Sequence, residues 1–263
     1  MAKPKSASSW LPRCDFKFIE RFHLLRAKLE LVQASQPIEL EMAEAAVQVR
    51  GGMKIHCNGA DGTATIACFQ ETDGKMLPVL ITAGHVVGNA TSSTVVNLAG
   101  GAEIGTVRRV HDNPDTAVVK LHATVEGLFE IIDETDGSII HPFNFTARCQ
   151  EGAVEMVGAV SGHVFGKCLR VDAKVNVNDV LTNQDNRNLT RTDMIEIEPT
   201  TNKGFGVPGD SGSPILQKDS KGKRNIVGLL VAVMKDGVQK LSYAEHFGDP
   251  GGVASLLHLN ETD

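Results

Sequence analysis

The sequence predicts a mainly β fold, either a sandwich or a barrel, and two observations predict it. From Gly51 onward, short runs rich in valine, isoleucine and threonine follow one another at roughly ten-residue spacing. Turn signals, chiefly Asp-Gly and Gly-Gly, separate the runs. The composition agrees. A chain of 263 residues that is 41% hydrophobic and 22% charged is an ordinary globular protein with enough apolar residues for a substantial core.

Before the β texture begins, residues 15–34 read as a helix. Phe18, Phe22, Leu25, Leu29 and Val32 recur at spacings of three and four and make one apolar face. Asp15 is placed to cap its start, and Ser35-Gln36-Pro37 ends it. A weaker helical stretch covers 38–49. Residues 1–50 are therefore expected to form a helical extension packed on the main domain, with a partner-binding or membrane-surface helix as the rival reading.

The β runs then come in order. TATIACFQ (63–70), MLPVLITA (76–83), STVVNLAG (93–100), GAEIGTVRRV (101–110) and TAVVKLHA (116–123) make a first β unit, expected over 51–135. Residues 126–150 carry no clear period and are read as holding the boundary. A second unit, 136–263 with its linker, holds AVEMVGAVSG (153–162), CLRVDAKVNVN (168–178), DMIEIEPT (193–200), SPILQKD (213–219) and NIVGLLVAVMKDG (225–237).

Several function classes fall away at this level. A net charge of −6 gives no nucleic-acid footprint. The basic run KDSKGKR (218–224) reads as a solvated hairpin tip. No apolar run approaches the roughly 18 residues of a membrane span, and the first 18 residues lack the apolar stretch of a signal peptide. The five cysteines, Cys14, Cys57, Cys68, Cys149 and Cys168, are odd in number and form no CxxC pair, so free thiols in a reducing, intracellular (cytoplasmic) compartment are expected. Sequons at Asn89, Asn144, Asn188 and Asn260 would carry glycans only on a secreted chain. No HExxH and no zinc-spaced Cys/His cluster is present, so neither metal nor cofactor is expected. GFGVPG (204–209) matches a dinucleotide-binding glycine pattern in form only, since no βαβ unit surrounds it.

The chemistry concentrates in three short motifs. ITAGHVVG (81–88) places His85 just beyond a strand-like run. NPDTAVVKL (113–121) places Asp115 at the start of another. PGDSGSP (208–214) is a tight turn that presents Ser211 between flexible neighbours. An imidazole that takes the serine proton, a carboxylate that orients the imidazole, and main-chain N–H groups that bind an oxyanion together make an activated nucleophile. Taken alone, each motif is as well explained by an ordinary histidine, a turn aspartate or a surface turn. The remaining histidines, His23, His56, His111, His122, His141, His163, His246 and His258, read as structural or surface groups, with His163 and His246 the two placed to approach a cleft.

TAGHV (82–86), DTAVVKL (115–121) and GDSGSP (209–214) resemble the three signatures of the trypsin-like (chymotrypsin-fold) serine peptidases, and the resemblance runs from about Gly51 to Leu257. It implies two antiparallel six-stranded β-barrels with the active site in the crevice between them. It implies His85 as general base, Asp115 as orienting acid and Ser211 as nucleophile, with the main-chain N–H groups of Gly209 and Ser211 as the oxyanion hole. It implies a serine endopeptidase that works through an acyl-enzyme on protein or peptide substrates. Val86 stands where the secreted enzymes carry a disulfide cysteine, and no IVGG-like start is present, so a non-zymogen, disulfide-free branch is expected. In the same register Phe205 lies at the base of the specificity pocket and Val231, Ala232 and Val233 line it. With no acidic residue there, a small or apolar P1 side chain is expected. VGAVSGHVFGKCLRV (157–171) is similar to a glycine-rich segment of some family members and reads as strand-turn-strand without a catalytic role. The alternative is a silent member of the fold that binds peptides or acts as a scaffold.

Overall fold

The computed structural model describes residues 46–145, 147–176, 190–202, 204–236, 239–248 and 252–260. The expected helix at 15–34 lies outside the described residues. Of the weaker helical stretch, residues 46–49 are described, and Val47–Val49 are in a strand. The extended strand β1 (Val47–Gly51) pairs parallel with β9 (Val125–Ile132), and its Val49 is fully buried. Burial of a β-branched side chain against a neighbouring strand overrides a weak helical pattern.

The chain then runs through β2 (Lys54–Cys57), β3 (Ala60–Thr63), β4 (Ile66–Thr72), β5 (Lys75–Ala83), β6 (Val95–Leu98), β7 (Glu103–His111) and β8 (Thr116–Leu121) before reaching β9. Two of the hairpins turn on two residues with positive φ, Asn58-Gly59 and Asp73-Gly74, the geometry that matches strand twist. A short strand, β10 (Ile139–Ile140), pairs with β9. β5 and β8 sit centrally, and the Val79–Ala83 stretch of β5 is buried throughout. The hydrogen-bonded order of this half is an eight-stranded sheet, β4-β5-β8-β7-β6-β2-β3 with a last strand, β17 (Leu259–Asn260), added outside β4.

The second half is a closed six-stranded barrel. Its strands are β11 (Gly152–Gly158), β12 (Gly162–Asn176), β13 (Thr190–Pro199), β14 (Pro214–Lys218), β15 (Arg224–Asp236) and β16 (Gln239–His246), in the order β11-β12-β13-β16-β15-β14. Closure leaves no free edge on this half. The basic run 218–224 is the tip of the β14–β15 hairpin, where Lys223 lies over the Phe143 ring at 3.5 Å. After β16 a five-residue helix, Val253–Leu257, leads into β17, which carries the chain end back onto the first half.

Two apolar clusters result. One fills the second barrel, with Met156, Cys168, Ile195, Ile197, Phe205 and Ile215 among its buried members. The other fills the first half and continues across the junction to Val157, Leu229, Val231 and Ala232. Cys57, Cys68, Cys149 and Cys168 are free and buried. Among the described residues no helix is long and apolar enough to cross a membrane.

Candidate active site

His85 reaches the junction because β5 ends at Ala83 and a single helical turn, Gly84–Val87, follows. The approach depends on Gly84, where an added Cβ would sit 2.6 Å from Asp115 Oδ1. Asp115 immediately precedes β8, the neighbour of β5, and is 4% exposed. Strand pairing therefore sets the two side chains side by side. His85 Nδ1 lies 2.6 Å from Asp115 Oδ2, and the His85 main-chain N–H donates to Oδ1 at 2.9 Å. The carboxylate can only accept, so the ring proton is assigned to Nδ1, which leaves Nε2 free to act as a base. Burial by itself raises the Asp115 carboxyl. The His85 charge, its ring and main-chain N–H groups and the Arg191 guanidinium outweigh burial and hold the group below its ordinary value.

Ser211 comes from the loop that enters β14, and the first half holds that loop by its main chain. Thr63 N–H donates to Ser211 O at 2.8 Å, Thr63 Oγ1 to Gly209 O at 2.9 Å and Thr65 Oγ1 to Gly212 O at 2.6 Å. Thr82 Oγ1 in turn donates to Thr63 O at 2.8 Å. Gly212 packs against Thr63, Thr82 and the main chain of Ala83, two residues before His85. Ser211 is thus brought to the strand end that carries His85. Among the described residues its hydroxyl makes no hydrogen bond to the imidazole.

The N–H groups of the loop divide into two sets. Asp210 N–H donates to Val207 O, Gly212 N–H to Leu230 O and Ser213 N–H to Asp210 O. Among the described residues the N–H groups of Gly209 and Ser211 have no protein acceptor, and Gly209 holds the φ of +99° that lets the loop turn there.

Asp210 is wholly buried and makes this loop rigid. Its carboxylate accepts from the main-chain N–H groups of Val160 (2.9 Å), Ser161 (3.1 Å) and Val207 (2.8 Å), and from the Ser161 hydroxyl. The 157–171 segment is the strand-turn-strand its sequence suggested, and its turn supplies three of these four donors.

The expected specificity residues are placed as follows. Phe205 is fully buried in the core of the second barrel, with its ring against Gly166. Val231 and Ala232 are buried at the junction, and Val233 packs beside Gly206. His163 is engaged by Glu155 at 2.8 Å, and His246 Nε2 by Val171 O at 2.7 Å. A cavity of 590 Å³ opens on the second barrel around Phe165, Glu155 and Lys218, and its walls include none of the site residues.

The sequence reading did not single out Thr63, Thr65, Ser161, Arg191 or Glu245. Glu245 Oε1 accepts the Asp115 main-chain N–H at 3.1 Å and Arg191 Nη1 at 2.6 Å. The partners of these residues lie far along the chain, some main-chain and some side-chain, and no local motif marks them.

No family model and no curated protein matches this chain. Solved structures do. A chymotrypsin from Cellulomonas bogoriensis is similar at 18% identity with a TM-score of 0.59, over 82% of this chain and 98% of its own. A Nocardiopsis protease is similar at 16% identity and 0.61, over 82% and 100%. Protease A of Thermobifida fusca is similar at 15% identity and 0.60, over 82% and 99%. At these identities the likeness establishes architecture: the chain has the chymotrypsin fold.

Proposed function

We propose that this chain is a serine endopeptidase in which His85, Asp115 and Ser211 act as one unit. The observation that carries the proposal is the His85–Asp115 pair, 2.6 Å apart on adjacent strand ends, with the Ser211 loop docked beside it. In this reading His85 Nε2 takes the Ser211 proton as Oγ attacks the scissile carbonyl carbon. The carbonyl π electrons move to oxygen, and the oxyanion is received by the unpartnered N–H groups of Gly209 and Ser211. The imidazolium, stabilised by Asp115, protonates the leaving amine as the C–N bond breaks and the acyl-enzyme forms. Water attacks the ester by the same route, and Ser211 recovers its proton.

The internal satisfaction of Asp210 supports a site that assembles without a freed N-terminus, since the carboxylate has four donors inside the described residues. Phe205, Val231, Ala232 and Val233 carry no charge, which supports small or apolar P1 residues. A P1-randomised peptide library tests that preference, and cleavage confined to Lys, Arg or Glu would reverse it.

The first test is labelling of the purified protein by a fluorophosphonate probe beside Ser211→Ala. Such probes phosphonylate a serine activated by a base: Oγ attacks phosphorus and fluoride leaves. Labelling of the wild type and none of the variant is the expected result. A folded wild type that stays unlabelled would turn the assignment to a silent peptide-binding member of the fold.

A further inference from the structure

Behind the pair described above lies a second pair that none of the proposed steps uses. Arg191 on β13 and Glu245 on β16 meet at 2.6 Å with side chains only 10% and 7% exposed. The same Glu245 oxygen that receives the guanidinium also receives the Asp115 main-chain N–H, 130 residues away in the other half of the fold. The second barrel thus grips the backbone of the residue that orients His85.

We infer that Arg191 and Glu245 are positioning residues: a charge-balanced brace that fixes the Asp115 backbone while adding no net charge beside the His85–Asp115 pair. The inference rests on the serine-peptidase reading given above.

Two buried carboxylates this close oppose one another's ionisation. Burial pushes the Glu245 carboxyl above its ordinary value. The Asp115 N–H and Arg191 pull against burial, and the Asp115 charge adds to the push. Arg191 offsets both carboxylates, since it also lowers Asp115. His111 on β7 is buried on its Nε2 side and feels Arg109 and Asp112. His246, next to Glu245, is turned to Val171 O.

A brace that works by neutrality makes a distinctive prediction. Glu245→Gln keeps an oxygen for the Asp115 N–H but leaves the Arg191 charge unopposed. A net positive charge there disfavours the imidazolium, so the pH midpoint of fluorophosphonate labelling falls by about one pH unit. In Glu245→Gln/Arg191→Met the pair is neutral again, and the midpoint returns to within about 0.3 unit of wild type. Arg191→Met alone leaves Glu245 to take up a proton in its buried site. The midpoint then stays in place while the labelling rate falls about tenfold, as one positioning hydrogen bond is lost.

The experiment is a labelling rate–pH profile for wild type and the three variants, with melting temperatures taken alongside. A merely structural pair would move the melting temperature and leave the midpoint of Glu245→Gln where the wild type has it, and that outcome overturns the inference. Should Glu245→Gln fail to fold, Arg191→Met decides alone. A wild-type labelling rate overturns the brace, and a tenfold loss at constant midpoint supports it. If the wild type labels at no pH, the peptidase reading fails and the brace falls with it. If the wild type labels and Glu245→Gln follows its profile, the brace alone falls.

Discussion

Gly212 illustrates how much of the site rests on a missing side chain. Its φ is +91°, and a Cβ there would lie 2.2 Å from Thr63 O and 2.5 Å from Thr82 Oγ1. Those two atoms already bond one another, so neither can retreat cheaply. Gly212→Ala is therefore expected to lift the serine loop off the first half and reduce fluorophosphonate labelling by at least about 100-fold, the scale of losses from small misplacements of reacting groups. Gly222 is the control. It too has positive φ, +78°, but nothing within 4 Å of an added Cβ. Gly222→Ala should cost about 1 kcal/mol of stability through backbone strain and label as wild type does. Equal labelling by the two variants would show that the docking on Thr63 does not set the serine.

At the scale of elements, the turn between β11 and β12 is the clearest case of a segment whose work the sequence did not disclose. It reads as an ordinary hairpin, yet it provides the Val160 and Ser161 donors for Asp210. Ser161→Ala removes one donor from a fully buried carboxylate. A hydrogen bond to a charged group contributes about 1.5–3 kcal/mol, so the melting temperature should drop by several degrees. Asp210 sits between the two unpartnered N–H groups, so labelling should also slow, by about tenfold. An unchanged labelling rate would detach the turn from the site. What was legible at this scale was the set of strands with strong β-branched composition. LITA of β5 and TAVV of β8 emerge where expected because they are buried on both faces. β9 was not legible. Four consecutive residues, Gly127–Glu130, are half-buried, so VEGLFEII shows no alternation, and its place depends on the parallel pairing with β1. β2 and β3 are too short and polar for periodicity to reveal, although Asn58-Gly59 carries their turn. The His85, Asp115 and Ser211 motifs were legible because each is local. Thr63, Arg191 and Glu245 were not, since the partners through which they touch Ser211, Gly209, Asp115 or one another lie between 54 and 148 residues away.

At the scale of the molecule, residues 46–263 form one compact unit that closes itself at both ends. β1 at its start pairs with β9, and β17 near its end pairs with β4, where Gln70 Nε2 also donates to Leu257 O at 3.0 Å. The apolar cluster of the first half reaches across the junction to Val157 and Val231, so buried apolar packing spans the two halves even though the second barrel also keeps a cluster of its own. Every partner named above for His85, Asp115 and Ser211 belongs to this unit. A chain beginning at residue 46 should therefore fold cooperatively, melt within about 5 °C of the full-length protein, a difference of roughly 1–2 kcal/mol, and take the fluorophosphonate label at the same rate. Differential scanning calorimetry and a labelling time course on the two chains decide the matter. Faster labelling of the shorter chain would identify residues 1–45 as a brake on the site. Loss of folding or labelling would mean that the extension completes either the core or the site, and that the unit does not stand alone.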